Sequence, residues 1–347
     1  MCNDIQWLWQ QADWPDLHWQ QEIIDPVIRR LHYQAGSLMG HAAQLNTKNR
    51  QTLKHQLLIS AVDPDTNSQR VSLSNSLGNQ LGITVAEDAP HSAYSDKLAN
   101  NLINCCTDTE HDLTLERLLE WHQALKPDTK SELRKPGDAQ LPPQTFFELL
   151  NLIEWFNSSH QKQSTDPLIR TAISYLRTIA IQPFDQSNDD IARFISSLAL
   201  NQAYPDKPLM LFLTTDCFSK SETNKQLQMS LKSNTDITDW LFCFLNIIEK
   251  YLDKTLTLVL QNQQQTAFWL RMAESGLTAA QSAILKQMLD QHQGSNTISA
   301  SEYQQISGLS KASATRHLSE LLQKGCIEKL SSGGRSTRYK VNITGRT

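Results

Sequence analysis

Apolar residues recur at helical intervals along most of this chain. Ile23, Val27 and Leu31 share one stripe, and Leu53, Leu57 and Ala61 another. Residues 64–75 and 86–96 read as polar, turn-rich breaks, and helical spacing returns over 113–125 and 145–156. Segment 126–143 reads as loop, because it holds four prolines and a glycine and its apolar residues do not alternate. Asp166-Pro167 has the form of an N-cap followed by a first helical proline. The helix it opens carries a stripe at Leu168, Ile169, Ala172, Ile173, Leu176 and Ile179. After a break near 182–187, Ile191, Phe194, Ile195, Leu198 and Ala199 repeat that stripe. A last long helical stretch runs from about Asp236 to Met272, and no internal repeat is evident. Trp7, Trp9, Trp14 and Trp19 demand a packing partner, since four exposed indoles would make a sticky patch.

Length and composition narrow the class. A chain of 347 residues can bury at least one large core and suggests two or three domains. Hydrophobic residues make up 39%, and no apolar run approaches the roughly 20 residues that span a bilayer. The opening MCNDIQWLWQ lacks the basic and apolar regions of a signal peptide. Six scattered cysteines form no CxxC or Cys/His spacing, and ten histidines form no ligand set. The expectation is free thiols in a reducing cytoplasm, with no metal site and no membrane partner.

Charge is uneven. From Asn296 onward there are 8 Lys/Arg against 3 Asp/Glu, a balance of +5, which leaves the remainder of a chain of net charge −4 at −9. An acidic body with a basic tail points to the tail as the part that meets nucleic acid. The pattern there also changes after Gly276-Leu277. Thr278 and Gln281 have capping-box spacing and open a helix over 279–291. A short helix Ala300–Ser307, the turn Gly308-Leu309-Ser310 and a helix Lys311–Lys324 closed by Gly325 follow. Two strands, Cys326–Leu330 and Thr337–Ile343, are joined by the glycine-bearing Ser331–Ser336. This order resembles a winged helix-turn-helix. The candidate DNA contacts are Lys311, Ser313, Thr315, Arg316 and Ser319 on the second helix, with Arg335, Arg338 and Lys340 on the wing. A module used only for protein contacts is the alternative.

The densest signal is Ile181-Gln-Pro-Phe-Asp-Gln-Ser-Asn-Asp-Asp-Ile-Ala-Arg193. It resembles the active-site motif of the Fic (Fido) family, His-Pro-Phe-x-Asp-Gly-Asn-Gly-Arg-x-x-Arg. Pro183, Phe184, Asn188 and Arg193 are kept. The resemblance implies a mainly α fold: a Fic-type helical bundle (111–273), preceded by an N-terminal helical segment (1–110) and followed by the winged helix-turn-helix (278–343). Trp14-Pro15 and Asp236-Ile237-Thr238-Asp239-Trp240-Leu241 stand in the order the family has them. The implied activity is AMP transfer from Mg-ATP to a protein hydroxyl.

The substitutions argue against that activity. Gln182 replaces the histidine, and an amide cannot take a proton near neutral pH; losing a general base typically lowers rate by about 10²–10⁴. Gln186 replaces the metal carboxylate, which Asp185 would supply only if the loop shifted. Ser187 and Asp189 replace both glycines, so positive φ becomes harder to hold. Asp190 replaces the first arginine, making Asp189-Asp190 three charges more negative (−2 against +1) than Gly-Arg. One misplaced unit about 5 Å away costs on the order of 3 kcal/mol at an effective dielectric of 20, before screening. Ser187 reads instead as an N-cap, with Asp190 in the first turn favoured by the helix dipole.

Two further family parts look eroded. The inhibitory helix motif, Ser/Thr-x-x-x-Glu-Gly or -Asn, is matched by Ile59-Ser-Ala-Val-Asp63-Pro64, without its hydroxyl and with a shortened acid. Asp63 is expected to pair with Arg193 as a structural contact only. The β-hairpin flap that positions target peptides falls on 126–143, which is too short and proline-rich to form it. The sequence therefore reads as a catalytically inactive relative that acts as a DNA-binding regulator or interaction scaffold, with no catalytic residue and no cofactor expected. Asn188 and Arg193 remain as a nucleotide-binding remnant. The alternatives are a rearranged site for nucleotidyl or phosphoryl chemistry with Mg-ATP, and ligand binding without catalysis. A protein partner or a homodimer is also compatible with the pattern.

Overall fold

The computed structural model describes residues 7–60, 67–85, 90–127, 130–135, 137, 141–204, 208–213, 221–290, 297–330 and 337–345. Among them lie thirteen α-helices and three short strands, so the fold is mainly α. The chain divides into two compact units, Met1–Val259 and Leu260–Thr347.

The elements described in the first unit are helices. Its helices are α1 (Gln21–Ala43), α2 (Thr47–Ile59), α3 (Asn67–Gln80), α4 (Ala93–Thr107), α5 (Leu115–Leu125), α6 (Thr145–Gln161), α7 (Pro167–Ile181), α8 (Asn188–Gln202), α9 (Ser221–Ser230) and the start of α10 (Thr238–Met272). The pair α7 and α8 separates two apolar clusters. One joins Leu168, Ile169, Ala172, Ile173 and Leu176 of α7 to Ile24, Val27 and Leu31 of α1 and to Trp240, Phe244 and Ile248 of α10. The other joins Phe184, Ile191, Phe194, Ile195 and Leu198 to Leu98 and Leu102 of α4, Trp121 of α5 and Phe156 of α6.

The predicted stripe on α7 is only half of the burial. Every residue from Leu168 to Ile181 is buried, the polar ones included. Hydroxyls make this tolerable by bonding back along the helix. Thr171 donates to Pro167 O, Ser174 to Arg170 O and Thr178 to Ser174 O, so none of the three is left unsatisfied away from water. The predicted N-cap is present: the Asp166 carboxylate accepts from Leu168 N at 2.9 Å, with Pro167 in the first turn.

The breaks expected over 64–75 and 86–96 are corrected. Residues 67–80 form α3, and α4 begins at Ala93. Serines hide this pair from a hydropathy pattern. Ser95 donates to Ser72 at 2.8 Å and Ser76 to Asp96 at 2.6 Å, where apolar contacts would otherwise mark an interface. The N-terminal tryptophans find their partners: Trp7, Trp14 and Trp19 pack on the first cluster. The segment is stitched down by Leu8 N to Leu231 O, His18 N to Thr235 O and Ile237 N to His18 O.

The second unit takes in the end of α10, α11 (Ala279–Asp290), β1 (Thr297–Ser299), α12 (Ala300–Ser307), α13 (Lys311–Gln323), β2 (Ile327–Lys329) and β3 (Arg338–Val341). The strands form an antiparallel sheet in the order β1-β3-β2, with Ile298 opposite Tyr339 and Ile327 opposite Val341. Its core is Phe268, Leu285, Tyr303, Leu318, Leu321 and Val341. The capping box is formed: Gln281 N donates to Thr278 Oγ1 at 3.2 Å, and Thr278 N to Gln281 Oε1 at 3.0 Å. Gly308 and Gly325 hold φ of 65° and 68°, and close the two short helices as the sequence suggests.

Candidate functional site

The motif loop is the junction of α7 and α8. Helix α7 ends at Gln182, which holds φ 45° and ψ 70°, a left-handed residue without the freedom of glycine. Pro183 and Phe184 turn the chain inward. The Phe184 ring is buried and stacks on His122, with centroids 4.1 Å apart and planes 6° from parallel. Asn188 holds the turn from both sides: its Oδ1 accepts from Phe184 N at 2.9 Å, and its Nδ2 donates to Phe184 O at 2.7 Å.

Ser187 differs from expectation. Its backbone is left-handed, φ 57° and ψ 21°, and its hydroxyl makes no capping bond. Side-chain capping needs an extended backbone at the N-cap, and a left-handed one turns the hydroxyl away. The backbone still closes the first turn, through Ile191 N to Ser187 O at 3.1 Å. Of the two positions where the motif has glycine, only Ser187 lies at positive φ; Asp189 is already in α8 and needs no special conformation.

Arg193 lies one helical turn along. It is 2% exposed. Its Nη2 pairs with the Asp190 carboxylate and its Nε lies 3.3 Å from Asp189 Oδ2. Tyr175 of α7 donates its hydroxyl to Asp189 as well. Burial raises the Tyr175 phenol well above its ordinary value, and the Asp189 charge adds to that. Burial likewise pushes the Asp190 carboxyl up, against the pull of Arg193. The arginine that a bound phosphate would meet is thus met by two carboxylates of its own helix. Gln186, which replaces the metal carboxylate, and Asp185, the one neighbouring carboxylate that could stand in for it, are exposed at the loop tip, and Gln182 is half-buried.

A clamp that sequence reasoning missed comes from the segment before α6. Arg134 N donates to Pro183 O at 2.8 Å. Its side chain donates through Nε to Gln182 O at 3.0 Å, and through Nη2 to Pro142 O at 3.0 Å and Ile181 O at 3.3 Å. A buried guanidinium thereby caps the last carbonyls of α7, where helix partial charge is negative. The only signal was one of four basic residues (Lys126, Lys130, Arg134 and Lys135) in a proline-rich loop, which composition alone reads as solvated. The described residues of 126–143 form no strand. His122 contributes beside the clamp, with Nδ1 2.9 Å from Ser131 Oγ; burial is the main reason its pKa is lowered.

Ile59 ends α2 and packs on the cluster that holds Phe184. Asp63 lies outside the described residues.

In the second unit, α13 presents Lys311, Thr315, Arg316 and Ser319 to solvent. Ser313 is half-buried at the first turn, its N–H donating to the cap Ser310 Oγ at 3.2 Å. Arg316 Nε lies 3.6 Å from Glu320 Oε1, an exposed pair. Lys340 is exposed on β3. Arg338 is engaged inside the unit: it pairs with Glu302 Oε2 at 3.1 Å and donates to Thr297 Oγ1 at 3.0 Å. Arg335 and the hairpin tip lie outside the described residues.

Comparison with known proteins bears on both ends of the first unit. Residues 112–200 match the Fic/DOC family, and residues 7–83 match a domain of unknown function, DUF4172. No curated protein matches the chain. Among solved structures, it is similar to a Fic family protein from Desulfovibrio desulfuricans G20, at 16% identity, 93% coverage of this chain and 97% of that one, with a TM-score of 0.45. A Fic domain containing signaling protein from Bacteroides thetaiotaomicron VPI-5482 is 18% identical over 68% of this chain and 97% of that one, at a TM-score of 0.46. Fic-1 (residues 134–508) from C. elegans is 15% identical over 71% of this chain and 74% of that one, at a TM-score of 0.48. No helix among the described residues is long and apolar enough to cross a membrane.

Proposed function

We propose that this chain, whose residues 112–200 belong to the Fic/DOC family, is a pseudoenzyme that has lost AMP transfer and works by binding, with DNA as the partner of its C-terminal unit. The observation that carries the first half is the pairing of Arg193 with Asp190 and Asp189. A phosphate entering the family's position must displace two carboxylates of this helix from a buried arginine, and then sit beside them. Gln182 offers no base for the acceptor hydroxyl. What the loop retains, the Phe184 plug and the two-way Asn188 bond, serves the fold.

The DNA half is supported by the +5 balance beyond Asn296 and by the exposed basic face of α13 with Lys340 on β3. We read β1 to β3 with α11 to α13 as a winged helix whose second helix, α13, enters the major groove.

Calorimetry with Mg-ATP tests the first half: the wild-type chain should give no heat of binding. The variant D189G/D190R frees Arg193 and reverses the local charge, so ATP binding should appear in it without AMP transfer. Wild-type self-labelling from ATP that disappears in Arg193→Ala would overturn the pseudoenzyme reading.

A further inference from the structure

A second feature of α7 lies outside the motif loop. Arg177 is 1% exposed, yet among the described residues its Nε and Nη2 have no hydrogen-bond partner and no carboxylate forms an ion pair with it. Its guanidinium is held by rings instead, 5.1 Å from the Trp155 centroid and 5.7 Å from that of Trp14. Glu148 and, less strongly, Asp16 act on it electrostatically without forming an ion pair, and the Glu148 carboxylate accepts from Trp14 Nε1 at 2.9 Å. Burial lowers the Arg177 pKa to about 10, which leaves it charged at neutral pH. A buried cation without an anion is costly, and such groups often mark a place that a ligand completes.

Arg177 lines a pocket of about 520 Å³. Its other walls come from the N-terminal segment, α6 and α7 itself: Trp19, Trp155 and Ile173 supply apolar surface, and Asp16 and Glu154 supply negative charge. Both acids are exposed. The pocket therefore offers one buried cation, two carboxylates and indole walls. A polyanion such as phosphate meets the cation but is repelled by the acids. A simple cation has the reverse difficulty. A molecule with both charges and an apolar body satisfies all three surfaces.

We propose that this pocket binds a small zwitterion of the α-amino carboxylate class, with its carboxylate on Arg177, its ammonium toward Asp16 and Glu154, and its apolar side chain against Trp19 and Trp155. This reading does not depend on the fate of the motif loop, because no motif residue lines the pocket.

The test is a thermal-shift and calorimetric titration of the full chain with the twenty L-amino acids. Phenylacetate and phenethylamine serve as half-ligands, and sodium sulfate as an anion control. At least one apolar or aromatic amino acid should raise the melting temperature, with each half-ligand binding more weakly and sulfate not at all. Arg177→Met should weaken that binding about tenfold or more, the loss of a charge-assisted bond, and Glu154→Gln should weaken it less. Arg177→Met should also leave the melting temperature of the free protein unchanged or higher, since an apolar side chain replaces an unpaired charge. A purely structural clamp between Trp14 and Trp155 predicts the opposite, a lower melting temperature. Failure of every amino acid to bind, binding that Glu154→Gln and Arg177→Met both leave unchanged, or destabilisation by Arg177→Met would overturn the proposal.

Discussion

Arg193 and Asp190 stand three residues apart on one helix and neutralise each other at the place where the motif would meet phosphate. Asp189 closes on the same guanidinium from Nε, and Tyr175 secures Asp189 from the neighbouring helix. Four side chains on two central helices thus form one local network. Its members occupy the loop-to-helix junction whose backbone N–H groups would otherwise serve an anion. The substitutions are therefore coupled: both acids pair with the buried Arg193 and offset the cost of its burial.

Arg193→Met should for this reason lower stability. It leaves Asp189 and Asp190, whose charge burial already disfavours, without their cation, and breaking one partner of a buried pair is strongly unfavourable. Asp190 retains some exposure, 27% of its side chain, so a loss of about 2 kcal/mol is expected. Urea unfolding followed by tryptophan fluorescence measures it. If the pairing did no structural work, the midpoint would stay where it is.

The clamp on the loop gives a second expectation. Arg134→Ala removes donors from Ile181 O, Gln182 O and Pro142 O together. Stability should fall by about 2–3 kcal/mol, and amide exchange should rise at Gln182 and Phe184 before the rest of α7. Arg134→Lys should recover only part of the loss, because an ammonium cannot reproduce the planar fork. Equal exchange rates in wild type and Arg134→Ala would refute the capping role.

Much of this was readable in the sequence, and the failures have physical causes. Asp166-Pro167 and Thr278–Gln281 announced their helix starts because capping is local chemistry. The motif named the Fic segment because Pro183, Phe184 and Asn188 have packing and turn roles that do not depend on the catalytic positions. Helix α3 was hidden because Ser72 and Ser76 share its buried face with Leu73 and Leu77 and bond to α4, and hydropathy scores those serines as exposed. Arg134 was hidden because its partners are backbone carbonyls nearly fifty residues away in sequence, which no spacing rule reaches. Ser187 misled because serine is a common N-cap, whereas the turn around Phe184 imposes a left-handed backbone there.

A pH dependence follows from His32 and Asp166. His32 Nε2 lies 2.9 Å from Asp166 Oδ2, and this bond raises the His32 pKa above its ordinary value, against an opposing effect of burial. A group whose folded pKa is raised adds stability that is fully present below its unfolded value, about 6.5, and is lost as pH rises through the folded one. The pair is partly exposed, 38% and 27%, so the effect should stay below about 1 kcal/mol after screening. Burial lowers His122 and His160, which act with the opposite sign. The informative quantity is therefore the difference between wild type and His32→Gln. That difference should be largest near pH 5.5 and shrink as pH passes above 6.5; a difference that grows with pH would contradict the assignment.

Arg316 and Arg338 should separate binding from folding in the C-terminal unit. Arg316 projects from α13 with 74% of its side chain exposed, and its pair with Glu320 at 3.6 Å adds little to stability. Arg316→Ala should leave the melting temperature unchanged and weaken DNA binding by about 1–3 kcal/mol if it reads a base. If it meets only phosphate, the variant should reduce the salt slope of log K by about one unit. Arg338 instead braces β1 and the Ser299–Glu302 capping box through Thr297 and Glu302. Arg338→Ala should lower the stability of this unit by about 1 kcal/mol, and any loss of DNA affinity should follow the unfolded fraction. Gel shifts across a salt series, run beside thermal melts of the same variants, give both readouts. A chain that shifts no DNA at low salt would leave α13 as a surface for protein partners.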